Sequence, residues 1–146
     1  MAYLLDTDTC IYAIKRRPPQ VTQRLVDALE SDRSLVAISS ITLSELEYDV
    51  EKSSDPVRNR LALVKFLMPM TILAYGPEAA AYGWLCALLE RRGRPIGPLD
   101  LLVAAHALFA EHTLVTNNER EFRRVPGLQI ENWAAQSPSR PGASGG

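Results

Sequence analysis

Three acidic residues, far apart in the chain, have the types and positions that could carry out chemistry. Asp6 follows the first short apolar run, Glu45 comes soon after the second, and Asp100 follows a Gly-Pro pair. Ligands of parallel α/β sheets bind outside the carboxyl ends of the strands, where Asp6 and Glu45 would lie and where Asp100 can join them. Converging carboxylates repel one another unless a cation neutralises them. A few hard oxygen ligands suit Mg²⁺ or Mn²⁺, so these acids predict a divalent-cation site.

Each acid also fits an ordinary structural role. Asp6 or Asp8 can cap the first helix, because aspartate is a favoured N-cap residue. The segment Thr42–Glu45 fits a capping box in which the glutamate reaches back to the helix start. Asp100, in the first turn of a helix, complements the helix dipole. Both interpretations stay open for each acid, and only the edge that all three could share favours the metal site.

Short apolar runs alternate with helical patterns along the chain. The runs are continuous, as in strands buried on both faces of a parallel sheet, and cover residues 2–5, 35–38, 70–75, 113–116 and 128–130. Apolar residues recur at helical spacing within residues 21–29, 41–50, 61–68, 79–89 and 99–109. This alternation predicts an α/β fold, a three-layer sandwich with a central parallel sheet flanked by helices.

Composition narrows the class of protein. The chain has 146 residues, 47% of them hydrophobic and 23% charged, with a net charge of -1. These values are typical of one ordinary domain, which we place at residues 1–134, followed by a disordered Ser-, Pro- and Gly-rich tail at 135–146. No apolar run reaches the ~18 residues that cross a bilayer, and no leader peptide is recognisable, so we expect a cytoplasmic protein. The near-zero charge excludes nucleic-acid binding by bulk attraction, but not a local basic surface.

The cysteines and histidines do not suggest a metal site of their own. Cys10 and Cys86 lack metal-ligand spacing, and we expect them to be reduced thiols. His106 falls in an alanine-rich helical segment, where we expect it to be packed inside rather than catalytic. With only His112 in addition, any metal must be held by oxygen ligands.

Four motifs, in order along the chain, resemble those of VapC-type PIN-domain toxins. The first two are an apolar strand ending in Asp-Thr-Asp (residues 4–11) and a strand followed by a serine turn and a glutamate (38–46). The other two are a helix that starts with Gly-Pro-Leu-Asp (97–107) and the segment Thr-Asn-Asn followed by Glu-Phe and Pro-Gly (114–128). Together they cover nearly all of residues 1–134.

The resemblance implies a PIN-like fold and a Mg²⁺-dependent endoribonuclease, with Mn²⁺ able to substitute. Its metal ligands would be Asp6, Glu45 and Asp100, and its products would carry a 5′-phosphate and a 3′-hydroxyl. The family often has a fourth acid where this sequence has Asn118, which we include among the catalytic residues because its carbonyl can bind metal or hold a water. Glu121 is a nearby acid that could compensate, or a solvated helix residue.

An RNA substrate follows from the same resemblance, and the Thr-Asn-Asn…Glu-Phe ending is similar to that of toxins that cut tRNA. Basic residues cluster at 15–17, 91–94 and 120–124, and Arg94 is our candidate for phosphate contact. The hydroxyls of Thr7 and Thr116 either position a phosphate or cap the adjacent turn.

The family also implies protein partners. A cognate antitoxin would lie across an apolar groove, for which the candidates are Leu61, Val64, Phe66, Leu67, Ile11, Tyr12 and Ile14. The same residues fit a hydrophobic core. A homodimer formed through the helical side is expected as well.

Two other functions compete with this interpretation. Residues 6–9, Asp-Thr-Asp-Thr after an apolar strand, fit the opening of haloacid-dehalogenase phosphatases, with Asp6 as nucleophile. That fold also needs a late lysine and a paired acid motif, whereas the lysines are Lys15, Lys52 and Lys65 and no Asp-Asp pair occurs. The second alternative is a non-catalytic RNA-binding or interaction module in which the acids are only caps.

Overall fold

A computed structural model, which describes residues 1–135, contains one sheet of five short parallel strands. The strand order is β3-β2-β1-β4-β5, and the strands are β1 (Tyr3–Leu5), β2 (Val36–Ser39), β3 (Thr71–Leu73), β4 (Thr113–Val115) and β5 (Ile130–Glu131). Because all pairs are parallel, every strand ends at the same edge of the sheet. Apart from Ala135, the tail expected at 135–146 lies outside the described residues.

Within residues 1–135, seven α-helices surround the sheet. They are α1 (Thr7–Lys15), α2 (Pro19–Ser31), α3 (Ser40–Lys52), α4 (Pro56–Leu67), α5 (Ala79–Arg91), α6 (Pro98–Phe109) and α7 (Glu119–Phe122). Helices α2, α4 and α6 begin with proline, whose fixed φ and missing N–H suit a first turn. The predicted three-layer α/β fold is confirmed.

Successive residues of the central strands point into two separate cores. Leu4, Ala37 and Leu114 pack against α5 and α6, whereas their neighbours Leu5 and Val115 pack on the opposite face against α1 to α4. This alternation is the period-two geometry of a strand. Because both faces are covered by helices, the central strands β2, β1 and β4 are mostly apolar, as predicted, with Ser39 and Thr113 as buried polar exceptions.

The edge strand β3 differs from that prediction. Its Ile72 is 43% exposed, whereas the apolar run at 70–75 predicts a strand buried on both faces. β3 has a neighbouring strand only on the β2 side, so one flank of the strand is left open. Sequence hydrophobicity alone does not distinguish an edge strand from a central one.

Candidate functional site

Asp6 is the first residue beyond β1 and is the N-cap of α1. Its Oδ1 accepts a hydrogen bond from the backbone N of Thr9 at 2.9 Å, and its own N donates to the carbonyl of Val115 at 3.0 Å. The side chain is only 7% exposed. Of the two aspartates considered for the helix cap, Asp6 is therefore the cap, and Asp8 is exposed in the first turn.

Thr116 lies beside Asp6, at the end of β4, and is completely buried. Its Oγ1 accepts a hydrogen bond from the N of Asn118 at 2.9 Å, and its hydroxyl hydrogen-bonds the Asp6 carboxylate. This hydroxyl has no exposed surface in the structure, and its contact with a phosphate of RNA stays a prediction. The structure shows Thr116 in the role of a turn cap. The same hydroxyl also orients the Asp6 carboxylate.

Burial and hydrogen bonding act in opposite directions on Asp6. Desolvation raises the pKa of the carboxyl, and the hydrogen bonds from Thr116 and Thr9 lower it, with a net increase above its usual value. The structure thus keeps a carboxylate in a place where its negative charge is disfavoured.

Glu45 projects from α3 toward the start of α1. Its Oε1 accepts a hydrogen bond from the Oγ1 of Thr7 at 2.9 Å. The capping-box interpretation is wrong, because α3 begins at Ser40 and its N-cap is Ser39, whose Oγ accepts from the N of Ile41 at 3.1 Å. The Thr7 hydroxyl therefore orients the glutamate in this structure.

Asp100 is the third residue of α6 and is half-buried. Its pKa is raised to about 6, first by desolvation and then by the negative charges of nearby acids, which are Glu121, Glu45, Asp6 and Asp8. Electrostatic coupling of this kind requires proximity, since exposed charges more than ~10 Å apart are largely screened. The three acids singled out in the sequence therefore share one neighbourhood, with Glu121 as a fourth.

Glu121 is held in place by two contacts from other segments of the site. Its carboxylate accepts a hydrogen bond from the backbone N of Gly97, the N-cap of α6, at 3.2 Å. It also accepts one from the Nδ2 of Asn118. Glu121 is thus not a freely solvated helix residue, and the Asn118 side chain contacts it directly. Only the presence of an acid three residues after Asn118 could have indicated this pairing from sequence.

The donor set fits a hard divalent cation. In the part of the chain that the structure describes, none of the four carboxylates has a Lys, Arg or His nitrogen within 4.0 Å. Oxygen-only ligands of net negative charge are those that Mg²⁺ and Mn²⁺ prefer. Within residues 1–135, however, no three His, Cys, Asp or Glu side chains form a ready-made metal cluster.

Basic side chains border the acids on the α7 side. A cavity of about 370 Å³ is lined by Asn118, Arg120, Glu121 and Arg124. The Nη1 of Arg124 donates to the carbonyl of Pro95 at 3.1 Å, which ties α7 to the loop before α6. Arg94, the residue proposed from the sequence for phosphate contact, is exposed in the same loop.

His106 is buried, as predicted, with 1% of its surface exposed. It contacts Ser39 and Glu78, a buried serine and a buried glutamate that the sequence analysis did not single out. Cys10 is buried and Cys86 is partly exposed, and both are free thiols.

The candidate groove residues divide into two groups. Leu61 and Val64 are 60% and 51% exposed and form a stripe along α4 with Val57 and Met68. Ile11 and Ile14 line a cavity of about 390 Å³ between α1, α3 and α4. Five of the seven candidates are partly buried against the core: Ile11, Tyr12, Ile14, Phe66 and Leu67.

Comparison with known proteins identifies the class of this fold and site. The family model described as PIN domain matches residues 3–128. The chain belongs to the PIN-domain family.

Similar proteins narrow the class to the VapC ribonucleases. The chain is 42% identical over 134 residues to the tRNA(fMet)-specific endonuclease VapC of Salmonella typhimurium, covering 91% of this chain and 98% of that protein. It is equally identical, with the same coverage, to ribonuclease VapC2 of Rickettsia felis. The crystal structure of VapBC2 from Rickettsia felis bound to a promoter DNA fragment contains a chain with a TM-score of 0.85 and 41% identity, covering 91% of this chain and 99% of that one. The protein is a VapC-type ribonuclease toxin.

This membership excludes the phosphatase and the non-catalytic module considered above. Separately, among residues 1–135 no helix combines the length and apolar character that a bilayer crossing requires.

Proposed function

We propose that this protein is a Mg²⁺-dependent endoribonuclease that cleaves RNA, with tRNA as substrate, and that it acts in the cytoplasm under the control of a cognate antitoxin. The observation that carries the proposal is the electrostatic proximity of Asp6, Glu45 and Glu121 to Asp100, with no Lys, Arg or His nitrogen within 4.0 Å of these carboxylates in residues 1–135. A divalent cation supplies the missing positive charge.

Asp6, Glu45 and Asp100 are the residues assigned to hold the cation, for which Mn²⁺ can substitute. A cation held by these carboxylates would supply polarisation of a phosphoryl oxygen and a lowered pKa for a coordinated water. The all-oxygen character of these side chains supports Mg²⁺ or Mn²⁺ over softer metals.

The surrounding residues prepare these carboxylates for the reaction. Thr116 and the N of Thr9 orient Asp6, and the hydroxyl of Thr7 orients Glu45. Asn118 is assigned to the catalytic group because its amide holds Glu121 against the start of α6. A carboxylate oxygen of Asp100 or Glu45 orients the attacking water, and in-line attack leaves a 5′-phosphate and a 3′-hydroxyl.

The RNA backbone is assigned to the basic rim. Arg94 is exposed, and Arg120 and Arg124 line the cavity beside Asn118, so that all three are placed to contact phosphates on the α7 side of the acids. Such contacts position RNA and do not select its sequence. The choice of tRNA is supported by the tRNA(fMet)-specific relative of Salmonella typhimurium.

Two protein partners complete the proposal. A cognate antitoxin is supported by the VapBC complexes among the structural relatives, and the apolar cavity between α1, α3 and α4 suits an inserted segment. A homodimer formed through the helical side is supported by the exposed apolar stripe of α4, because surfaces of this kind mark interfaces.

Cleavage of purified tRNA tests the enzymatic proposal. With Mg²⁺ we expect discrete fragments whose new 5′ ends carry phosphate, and no cleavage in EDTA. Asp6→Ala, Glu45→Ala and Asp100→Ala should each abolish cleavage and leave the circular dichroism spectrum unchanged. Asp27→Ala, on the exposed face of α2, is the matched control and should cleave normally. Undiminished cleavage in EDTA, or by the Asp100 variant, would contradict the proposal.

A further inference from the structure

A buried polar chain joins the two helices that carry Glu45 and Asp100. The Nδ1 of His106, on α6, lies 2.8 Å from the Oγ of Ser39, the N-cap of α3. Its Nε2 lies 3.5 Å from the Oε1 of Glu78, and the three side chains are 1%, 0% and 6% exposed. Polar groups are costly to bury, so a chain of three needs a physical explanation.

Hydrogen-bond directions assign the protons in this chain. The Ser39 oxygen already accepts from the N of Ile41 at 3.1 Å, so its single proton is free to point at the Nδ1 of His106. The Glu78 carboxylate favours a proton on Nε2. Burial lowers the pKa of His106 and keeps the ring neutral. Although burial alone would raise it, the backbone N–H groups of Glu78 and Gly76 hold the pKa of Glu78 below its usual value.

Serine, histidine and an acid also form the triads that activate a nucleophilic hydroxyl in hydrolases, but there the serine contacts Nε2 and the acid contacts Nδ1, whereas here the two ring nitrogens are exchanged. Here it cannot serve that purpose. The Ser39 side chain has no exposed surface, and its oxygen is engaged as a helix cap. A substrate has no access to it, so the chain must act on the positions of the helices.

We infer that His106 is a positioning residue that sets the distance between Glu45 and Asp100. The inference rests on the proposed function. Glu45 is six residues after Ser39 on α3, and Asp100 is six residues before His106 on α6, so each acid is ~9 Å along its helix from the hydrogen bond. A directional bond fixes the separation of the two helices more tightly than apolar packing, which tolerates sliding.

A second set of contacts holds the same junction from the β3–α5 turn. The ring of Tyr75 packs edge-on against His106, with 5.4 Å between centroids. The backbone N of Tyr75 donates to the Oγ of Ser40 at 2.9 Å, at the start of α3. One turn therefore touches both helices at the point where the histidine links them.

Two substitutions of His106 separate its two hydrogen bonds. In His106→Asn the amide lies near the Nδ1 position and can accept from Ser39, whereas in His106→Gln it lies near the Nε2 position and loses Ser39. Both lose the ring. We expect the Mn²⁺ affinity of the metal-free protein, measured by electron paramagnetic resonance, to fall about tenfold in the Gln variant and less than threefold in the Asn variant. At saturating Mn²⁺ the KM for RNA should be unchanged in both. Equal affinities in the two variants would overturn the inference.

Ser39→Ala removes the other partner of the hydrogen bond between Ser39 and His106. It also tests the inference if a His106 variant does not fold. We expect about tenfold weaker Mn²⁺ binding, with no further loss in the Ser39→Ala/His106→Gln double variant. Asp55→Ala, which removes the N-cap of α4, is the control for loss of a helix cap and should bind Mn²⁺ normally. Unchanged affinity in Ser39→Ala would overturn the inference. Normal Mn²⁺ binding by Asp100→Asn would instead overturn the proposed function.

Discussion

Asp100 carries its charge at an energetic cost in the metal-free protein. Its folded pKa is about 6, above the value of 3.8 for an unperturbed aspartate, because of burial and neighbouring carboxylates. The folded state therefore binds more protons than the unfolded state between these values. Stability falls as the pH rises through this interval and stays reduced above about 6.

Replacing Asp100 by Asn should therefore stabilise the metal-free protein. We expect the free energy of unfolding in EDTA at pH 7.5 to rise by about 1–2 kcal/mol, discounted for partial exposure, with little change at pH 4. Urea denaturation at both pH values measures this effect. Asp27→Asn, which is exposed, should show no such difference. Destabilisation of the Asp100 variant at pH 7.5 would contradict the electrostatic account.

Metal affinity should follow the same titration. Protons and cations compete for the Asp100 carboxylate, so Mn²⁺ binding should weaken as the pH falls through about 6, approaching tenfold per pH unit. Calorimetric titration with Mn²⁺ between pH 5 and pH 7.5 measures this dependence. An affinity that is constant across that range would show that Asp100 does not bind the metal.

Among the secondary-structure elements, those with strong local signals could be predicted from sequence. Buried apolar runs gave the central strands, and helical spacing with proline starts gave α2, α4 and α6. The exposure of β3 follows from its place at the sheet edge, which is a property of the topology. The four-residue helix α7 is too short for a periodic pattern and is stabilised by contacts to the loop before α6.

The candidate site also combines residues that have a local sequence signal with contacts that only the fold creates. Asp6, Glu45 and Asp100 are predicted as ligands from their places after a strand or near a helix start, together with the resemblance to VapC toxins, and this assignment stays a prediction. The tie between Asn118 and Glu121, and the chain from Ser39 through His106, join segments distant in sequence and have no local pattern. Packing of the sheet and helices creates both.

Helix α7 and its loop should contribute to RNA binding through charge. Arg120→Ala should raise the KM for tRNA about three- to tenfold, leave kcat within twofold, and reduce the slope of log KM against log salt by about 1. Steady-state cleavage at several salt concentrations tests this. Arg33→Ala, at an exposed position outside the site, is the control. A lower kcat with an unchanged KM would argue against a phosphate contact.

For the whole molecule, the apolar stripe of α4 is the surface we assign to the homodimer. Leu61→Glu should raise the dissociation constant of the dimer at least tenfold, because it places a charge in an apolar contact. Analytical sedimentation measures this shift toward monomer. Val26→Glu, at an exposed apolar position on α2, should leave assembly unchanged. Wild-type assembly of the Leu61 variant would place the dimer contact elsewhere.

Binding of one divalent cation by carboxylates from three separate segments is the central claim for this fold. Anomalous diffraction from crystals soaked in Mn²⁺ measures it directly. We predict a peak within about 2.2 Å of carboxylate oxygens from Asp6, Glu45 and Asp100. A peak that none of the three contacts, or no peak in fully soaked crystals, would contradict it.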